Sequence, residues 1–199
     1  PGHGHQDVAA FELHYNNEPI FIDLGRGQYG NDHPDSDCVD GRSHNGIRIN
    51  GYDPYPENRS FYDMTFRQDV AGEVPTMQRT DNGLVIRFSG FTRLAGIGEA
   101  VRKWSFRDDT FSISDSVEGT GYVRITRRLF TVGRAYINDD KVRINTDNHR
   151  FEISCNKGDV RLGQAKRWTA YARCEPAYEI LIKQSVGLPW NSNLQIRVM

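Results

Sequence analysis

The sequence predicts an all-β fold, a large antiparallel β-sandwich of roughly a dozen or more strands. Apolar and polar residues alternate through most of the chain, as in "VAAFELHY", "PIFIDL" and "GLVIRFSGF", and this alternation is typical of strands with one buried face. The runs are rich in Val, Ile, Phe, Tyr and Thr, and turn signals such as "DNG" at 81–83 and "NKGD" at 156–159 separate them. We find no segment with a convincing helical period.

The first two strands are predicted to form a hairpin. "VAAFELHY" and "PIFIDL" flank the stretch "NNE", and Asn is a frequent turn residue because its side chain tolerates the left-handed backbone region. A turn centred on Asn16 to Glu18 places Asp23 opposite Ala10 or Phe11. The hairpin therefore brings an acidic residue close to the start of the chain.

The remaining strands follow in order and complete what we predict to be one domain over residues 1–199. Several of them carry arginines that we predict to point outward, and Trp190 in "GLPWNSN" is predicted to be exposed. The outward arginines are Arg124, Arg127, Arg128, Arg143, Arg150 and Arg161. The runs read as strands are "NGIRINGYD", "SFYDMTFRQDV", "GLVIRFSGF", "EAVRKWSFRD", "TFSISDSVEG", "GYVRITRRLFTV", "KVRINTD", "RFEISCN", "RWTAYARC", "AYEILIKQSV" and "LQIRVM".

Composition excludes some classes of function. The 199 residues contain 25 Lys and Arg against 26 Asp and Glu, so the chain lacks the basic balance typical of nucleic-acid binders. No apolar run approaches the length needed to span a membrane. Cys38, Cys155 and Cys174 form no CxxC pair, which argues against a cysteine zinc site. Cys155 and Cys174 are predicted to be core residues, and a bridge between them stays open.

Histidines and aspartates cluster around the first hairpin. The opening "GHGHQD" contains an H-x-H pair, and its glycines allow the chain to curl back toward Asp23. His5, Asp23 and His44 then form a candidate tetrahedral zinc set with water in the fourth place. Two alternatives stay open. The first is that these are loop histidines that bind no metal. The second is a cupin-like metal site, which needs a Glu a few residues after the H-x-H pair, whereas the next Glu here is Glu12, seven residues after His5.

Three stretches resemble the C-terminal domain of heparinase II/III-like polysaccharide lyases. They are "GHGHQDVAAFELHYNNEPIFIDLG", "SHNGIRINGYD" and "RKWSFRDDTFSISDSVEGTG", and they occur in the family's order. The resemblance implies an antiparallel β-sandwich that packs beside an N-terminal helical toroid, so we expect this chain to be a fragment of a longer protein. The substrate cleft is expected to run between the two domains.

The resemblance also implies roles for individual residues. His3 corresponds to a catalytic histidine that faces the cleft, and Tyr29 is the nearest match to a catalytic tyrosine. His5, Asp23 and His44 correspond to ligands of a structural zinc. Two residues beside that last histidine are expected to bind substrate, namely Arg42 and Asn45.

The function expected from the resemblance is cleavage of uronic-acid-containing acidic polysaccharide, such as glycosaminoglycan or alginate, by β-elimination. We expect the isolated domain to be inactive without the toroid, and the protein to be periplasmic or secreted. Neither nucleic acid nor membrane is an expected partner. The alternative from a different class is a non-catalytic carbohydrate-binding or scaffolding β-sandwich.

Overall fold

The structure, a computed structural model, describes residues 5–26, 36–56, 73–156, 158–170 and 173–199. These residues form fourteen strands and three short 3₁₀ helices. The predicted strand "SFYDMTFRQDV" lies outside the described residues. The 3₁₀ helices are Ser36–Val39, Gly41–Ser43 and Gly90–Arg93. The strands are β1 Leu13–Tyr15, β2 Glu18–Phe21, β3 Ile47–Ile49, β4 Thr76–Thr80, β5 Gly83–Phe88, β6 Ile97–Arg107, β7 Thr110–Gly119, β8 Tyr122–Thr131, β9 Arg134–Asn138, β10 Lys141–Asn145, β11 Arg150–Cys155, β12 Asp159–Ala170, β13 Arg173–Gly187 and β14 Trp190–Val198.

The strands pair in antiparallel sheets, which confirms the predicted fold class. One sheet has eight strands in the order β4-β5-β6-β7-β14-β11-β10-β9, and a second has four in the order β12-β13-β8-β3. Strands β1 and β2 form a separate hairpin. Alternate residues of both sheets and the hairpin contribute to one large apolar core, as the period-two pattern predicts. Within the described segments, no helix is long and apolar enough to cross a bilayer.

The first hairpin turns through Asn16 and Asn17. Both asparagines have positive φ, 48° and 67°, and Tyr15 pairs with Glu18 across them. A two-residue turn of this kind matches the right-handed twist of the strands that it joins. The predicted hairpin is therefore confirmed, and Asp23 lies just beyond the end of β2.

Three predictions about burial are wrong. Arg127 is buried rather than outward, because it occupies the same face of β8 as Val123 and Ile125. Trp190 is also buried: it begins β14 and pairs with Val117. Cys174 is exposed and unbridged, because it lies beyond the last β13 residue that pairs with β8.

Candidate functional site

The candidate site lies along one edge of the four-stranded sheet, beside β8. Two separate segments meet there. The Ile22 amide, which follows β2, donates to the Phe130 carbonyl, and the Arg128 amide donates to the carbonyl of Gly46, which precedes β3. The end of the hairpin and the segment that leads into β3 are thus anchored to the same strand.

Asn45 joins these segments. Its side-chain amide donates to the carbonyls of Phe11 and Ile22 at 2.7 and 2.9 Å, and its side-chain oxygen accepts from the Phe130 amide at 2.8 Å. Asn45 is buried, and buried backbone groups need such bonds because an unsatisfied group costs free energy. Asn45 therefore fixes the position of the backbone next to His44.

His44 and Asp23 face each other across this junction. His44 Nδ1 lies 2.6 Å from Asp23 Oδ2, and the other carboxylate oxygen accepts from the Gly25 amide at 2.8 Å. The His44 side chain is only 2% exposed, whereas that of Asp23 is 33% exposed. If Nδ1 carries the proton of this hydrogen bond, Nε2 presents a lone pair. Nε2 is buried and has no hydrogen-bond partner among the described residues.

His5 completes the cluster. Its ring centre lies 5.4 Å from that of His44, with a tilt of 45° between the rings. Burial lowers the pKa of His5, and the neighbouring His44 lowers it further. For Asp23, burial alone raises the pKa, but hydrogen bonding to His44, its charge and the Gly25 amide outweigh burial, so the pKa is lowered. These shifts favour a neutral imidazole and an ionised carboxylate, the forms that donate an electron pair.

A compact turn delivers His5 to this position. The Gln6 amide donates to the Val39 carbonyl at 2.8 Å, and the Ala10 amide donates to the Asp7 carbonyl at 2.8 Å. Ala9 takes a φ of 57°, which is unusual for a residue other than Gly, Asn or Asp. Among the described residues, the chain turns back toward Asp23 at Asp7–Ala10. The sequence pattern predicted this turn at Gly2 and Gly4, which lie outside the described residues.

The two imidazoles of this cluster fit zinc by type and by proximity. Two imidazoles on one tetrahedral zinc, with Zn–N distances of about 2.0–2.1 Å, have ring centres roughly 5 Å apart, close to the spacing of His5 and His44. The unpartnered His44 Nε2 is the kind of atom that could bind a metal. The Asp23 carboxylate, however, is hydrogen-bonded to His44, and within the described ranges no group of three or more His, Cys, Asp or Glu is arranged to hold a metal ion.

The other predicted site residues are placed as follows. Arg42 is exposed, and its Nε lies 2.5 Å from Asp40 Oδ2. Asn45 is buried and bonded to backbone, as above, and its substrate-binding role stays a prediction. The two predicted catalytic residues, His3 and Tyr29, lie outside the described residues.

A buried charge cluster beneath the site escaped the sequence analysis. Arg102 donates to both carboxylate oxygens of Asp115, at 2.6 and 3.0 Å, and Arg127 donates to Oδ2 of the same carboxylate at 2.8 Å. The signal was present in the alternation: Arg102 shares a strand face with Ala100 and Trp104. A charged residue on an apolar face marks a buried ionic contact.

The family model described as "Heparinase II/III-like, C-terminal" matches residues 1–174. The chain therefore belongs to the heparinase II/III-like family and corresponds to its C-terminal domain. No curated protein matches the chain.

Solved structures share the fold. A heparinase III aligns with a TM-score of 0.72 and 13% identity, over 98% of this chain and 30% of its own. The heparan sulfate lyase HepC from Pedobacter heparinus aligns with a TM-score of 0.71 and 12% identity, over 98% of this chain and 31% of its own. A putative aldose 1-epimerase from Escherichia coli K12 gives a TM-score of 0.51 and 8% identity, over 93% and 90%. This chain thus spans about a third of the length of the heparinases that it matches.

Proposed function

We propose that the chain is the β-sandwich part of a polysaccharide lyase that cleaves uronic-acid-containing polysaccharide by β-elimination. The observation that carries the proposal is the meeting of His5, Asp23 and His44 within a chain that belongs to the family. The similar chains named heparinase and heparan sulfate lyase support an acidic glycosaminoglycan as substrate. Such polymers are extracellular, which agrees with a periplasmic or secreted protein.

The reaction makes specific demands on side chains. A base removes the proton at C5 of the uronate, donors stabilise the charge that develops on the carboxylate, and an acid protonates the departing O4. In this proposal His3 faces the cleft as the base or as a donor to the carboxylate, and Tyr29 moves the proton to the leaving oxygen. Arg42, which is exposed and paired with Asp40, contacts the acidic polymer in this proposal. The remaining groups come from an N-terminal toroid in the complete protein.

We further propose that His5, Asp23 and His44 form the site of a structural zinc, in which the two imidazoles would bind the metal and Asp23 would orient His44 through Nδ1. The metal would supply a fixed cross-link between the chain's entry segment and the segment before β3. Because His5 lies two residues after His3 in the sequence, a fixed cluster would also hold His3 in place. Errors of about 1 Å in the placement of a catalytic group are costly. Support comes from the buried, unpartnered Nε2 of His44 and from the closeness of the His5 ring.

The test is formation of unsaturated uronate product by the complete protein. Ultraviolet absorbance is followed with heparan sulfate, alginate and an uncharged glycan as substrates. Product is expected from a uronate polymer, and His3→Ala is expected to lower the rate by about 10²–10⁴-fold, the usual worth of a general acid or base. His14→Ala is the matched control, because His14 is an exposed histidine on the hairpin.

Two outcomes would overturn the proposal. Equal rates for His3→Ala and His14→Ala would remove His3 from catalysis. Tight binding of a uronate polymer with no unsaturated product would favour the alternative, a carbohydrate-binding or scaffolding β-sandwich.

A further inference from the structure

Arg102 links the buried core to both segments that carry the candidate site. Its Nη1 donates to the Ala9 carbonyl at 2.9 Å and to the Asn45 carbonyl at 2.8 Å. Ala9 lies in the turn that follows His5, and Asn45 follows His44. One guanidinium thus bonds the backbone of two segments that are 36 residues apart in the sequence.

We infer that Arg102, oriented by Asp115, is a positioning residue that sets the relative placement of the His5 and His44 segments. The inference deepens the proposed function and rests on it for the role of the residues that are positioned. The hydrogen bonds of Arg102 go to Asp115 and to the carbonyls of Ala9 and Asn45, so its effect on the histidines passes through the two carbonyls.

The carboxylate of Asp115 fixes the direction of the guanidinium. Arg102 Nε and Nη2 bond its two oxygens, and a bidentate pair of this kind restricts rotation as well as distance. With that edge fixed, Nη1 is directed at the two carbonyls. Burial alone raises the pKa of Asp115, but the charges of Arg102 and Arg127 outweigh it and lower the pKa. The carboxylate therefore stays ionised and keeps its orienting role.

Burying these charges is expensive, which argues for a role beyond filling the core. Arg102 is 1% exposed and Asp115 is 1% exposed. Apolar residues of similar volume often replace buried ion pairs without loss of stability. Apolar side chains, however, cannot bond the Ala9 and Asn45 carbonyls, and that bonding is what the charged cluster adds.

Arg127 provides a matched control within the same cluster. It also bonds Asp115, at 2.8 Å, and it is also buried. Its other bonds go away from the site, toward the Ser192 carbonyl and Cys155, and its guanidinium lies 5.8 Å from the centre of the Trp190 ring. Removing either arginine leaves Asp115 with one charged partner, but only the loss of Arg102 releases the site segments.

The experiment compares Arg102→Met with Arg127→Met by native-state hydrogen exchange, at conditions of equal global stability. The reporting amides are Ala10 and Gly46, which are hydrogen-bonded to Asp7 and His44 carbonyls, and Leu188, bonded to Gly121, is the remote reference. We expect exchange at Ala10 and Gly46 to be at least about tenfold faster in Arg102→Met than in Arg127→Met, because local opening is then easier than global unfolding. Leu188 should exchange equally in both.

Zinc affinity gives the second readout. Loss of outer supports typically weakens metal binding by about 10–100-fold, so Arg102→Met should bind zinc more weakly than Arg127→Met. Arg102→Lys, which keeps the charge with less reach, replaces Arg102→Met if the latter does not fold. Equal exchange at Ala10 and Gly46 in the two arginine variants would overturn the inference. If the wild-type chain binds no zinc, the zinc proposal fails while the exchange data still decide the role of Arg102.

Discussion

Two histidine–carboxylate pairs in this molecule have different surroundings. The His149–Glu18 pair joins the first hairpin to the β10–β11 turn: His149 Nδ1 lies 3.0 Å from Glu18 Oε2, and Glu18 also accepts from the Thr146 hydroxyl and the Asn148 amide. The His44–Asp23 pair instead leaves a buried ring nitrogen without a described partner.

The difference separates a structural contact from a candidate functional one. Around Glu18, local donors occupy both carboxylate oxygens, and His149 packs edge-on against Tyr15 with ring centres 4.9 Å apart. His149 Nε2 lies 3.4 Å from Nδ2 of the Asn16 side chain. Around His44, a second imidazole lies nearby and Nε2 is unused. A buried ring nitrogen with no protein partner is the kind of atom that binds a metal or an ordered water.

The largest expected difference concerns the asparagines that support each pair. Asn45→Ala should lower the free energy of unfolding by about 3 kcal/mol, because it leaves three backbone groups, two of them buried, without their hydrogen-bond partner. Asn148→Ala, at an exposed turn, should cost less than about 1 kcal/mol. Urea unfolding of both variants measures the difference. Similar losses would mean that the Asn45 bonds contribute little, and the contrast between the two pairs would weaken.

The His149–Glu18 pair should respond to acid through its carboxylate. Hydrogen bonding by Thr146, followed by that of His149, lowers the pKa of Glu18 from 4.5 to about 2. The folded state then binds fewer protons than the unfolded state between these values, so the stabilisation is complete above pH 4.5 and is lost as the pH falls toward about 2.

Comparison of the wild type with Glu18→Gln isolates this contribution. The stability advantage of the wild type should shrink as the pH is lowered through that window, because Gln cannot titrate. Urea midpoints across the window provide the measurement. An advantage that stays constant with pH would show that the Glu18 bonds do not depend on its ionisation.

Much of the fold was predictable because the alternation of apolar residues is a local signal. The antiparallel sheets and the Asn16–Asn17 hairpin follow from it directly. The prediction that Trp190 is exposed was wrong because the Gly, Pro and Asn around it are typical of loops, whereas Trp190 is the first residue of β14. Its indole nitrogen donates to Gln184 at 2.7 Å, a contact with the preceding strand that the sequence does not reveal.

The candidate site was predictable in part. The H-x-H pair and the resemblance indicated His5, Asp23 and His44, and the structure brings them together. The supports were not predictable, because Asn45 and Arg102 bond backbone groups that are distant in sequence, and Asp115 acts through Arg102. Ala9 gave no signal either: alanine rarely adopts a positive φ, and tertiary packing imposes it here.

Metal content after dialysis tests the proposed site most directly. The wild type should retain about one zinc per chain, His149→Ala should retain as much, and His44→Ala should retain almost none, because it removes the buried nitrogen that we propose as a ligand. Retention of zinc by His44→Ala at the wild-type level, or a wild type that binds no zinc, would contradict the assignment of His5, Asp23 and His44 as a metal site.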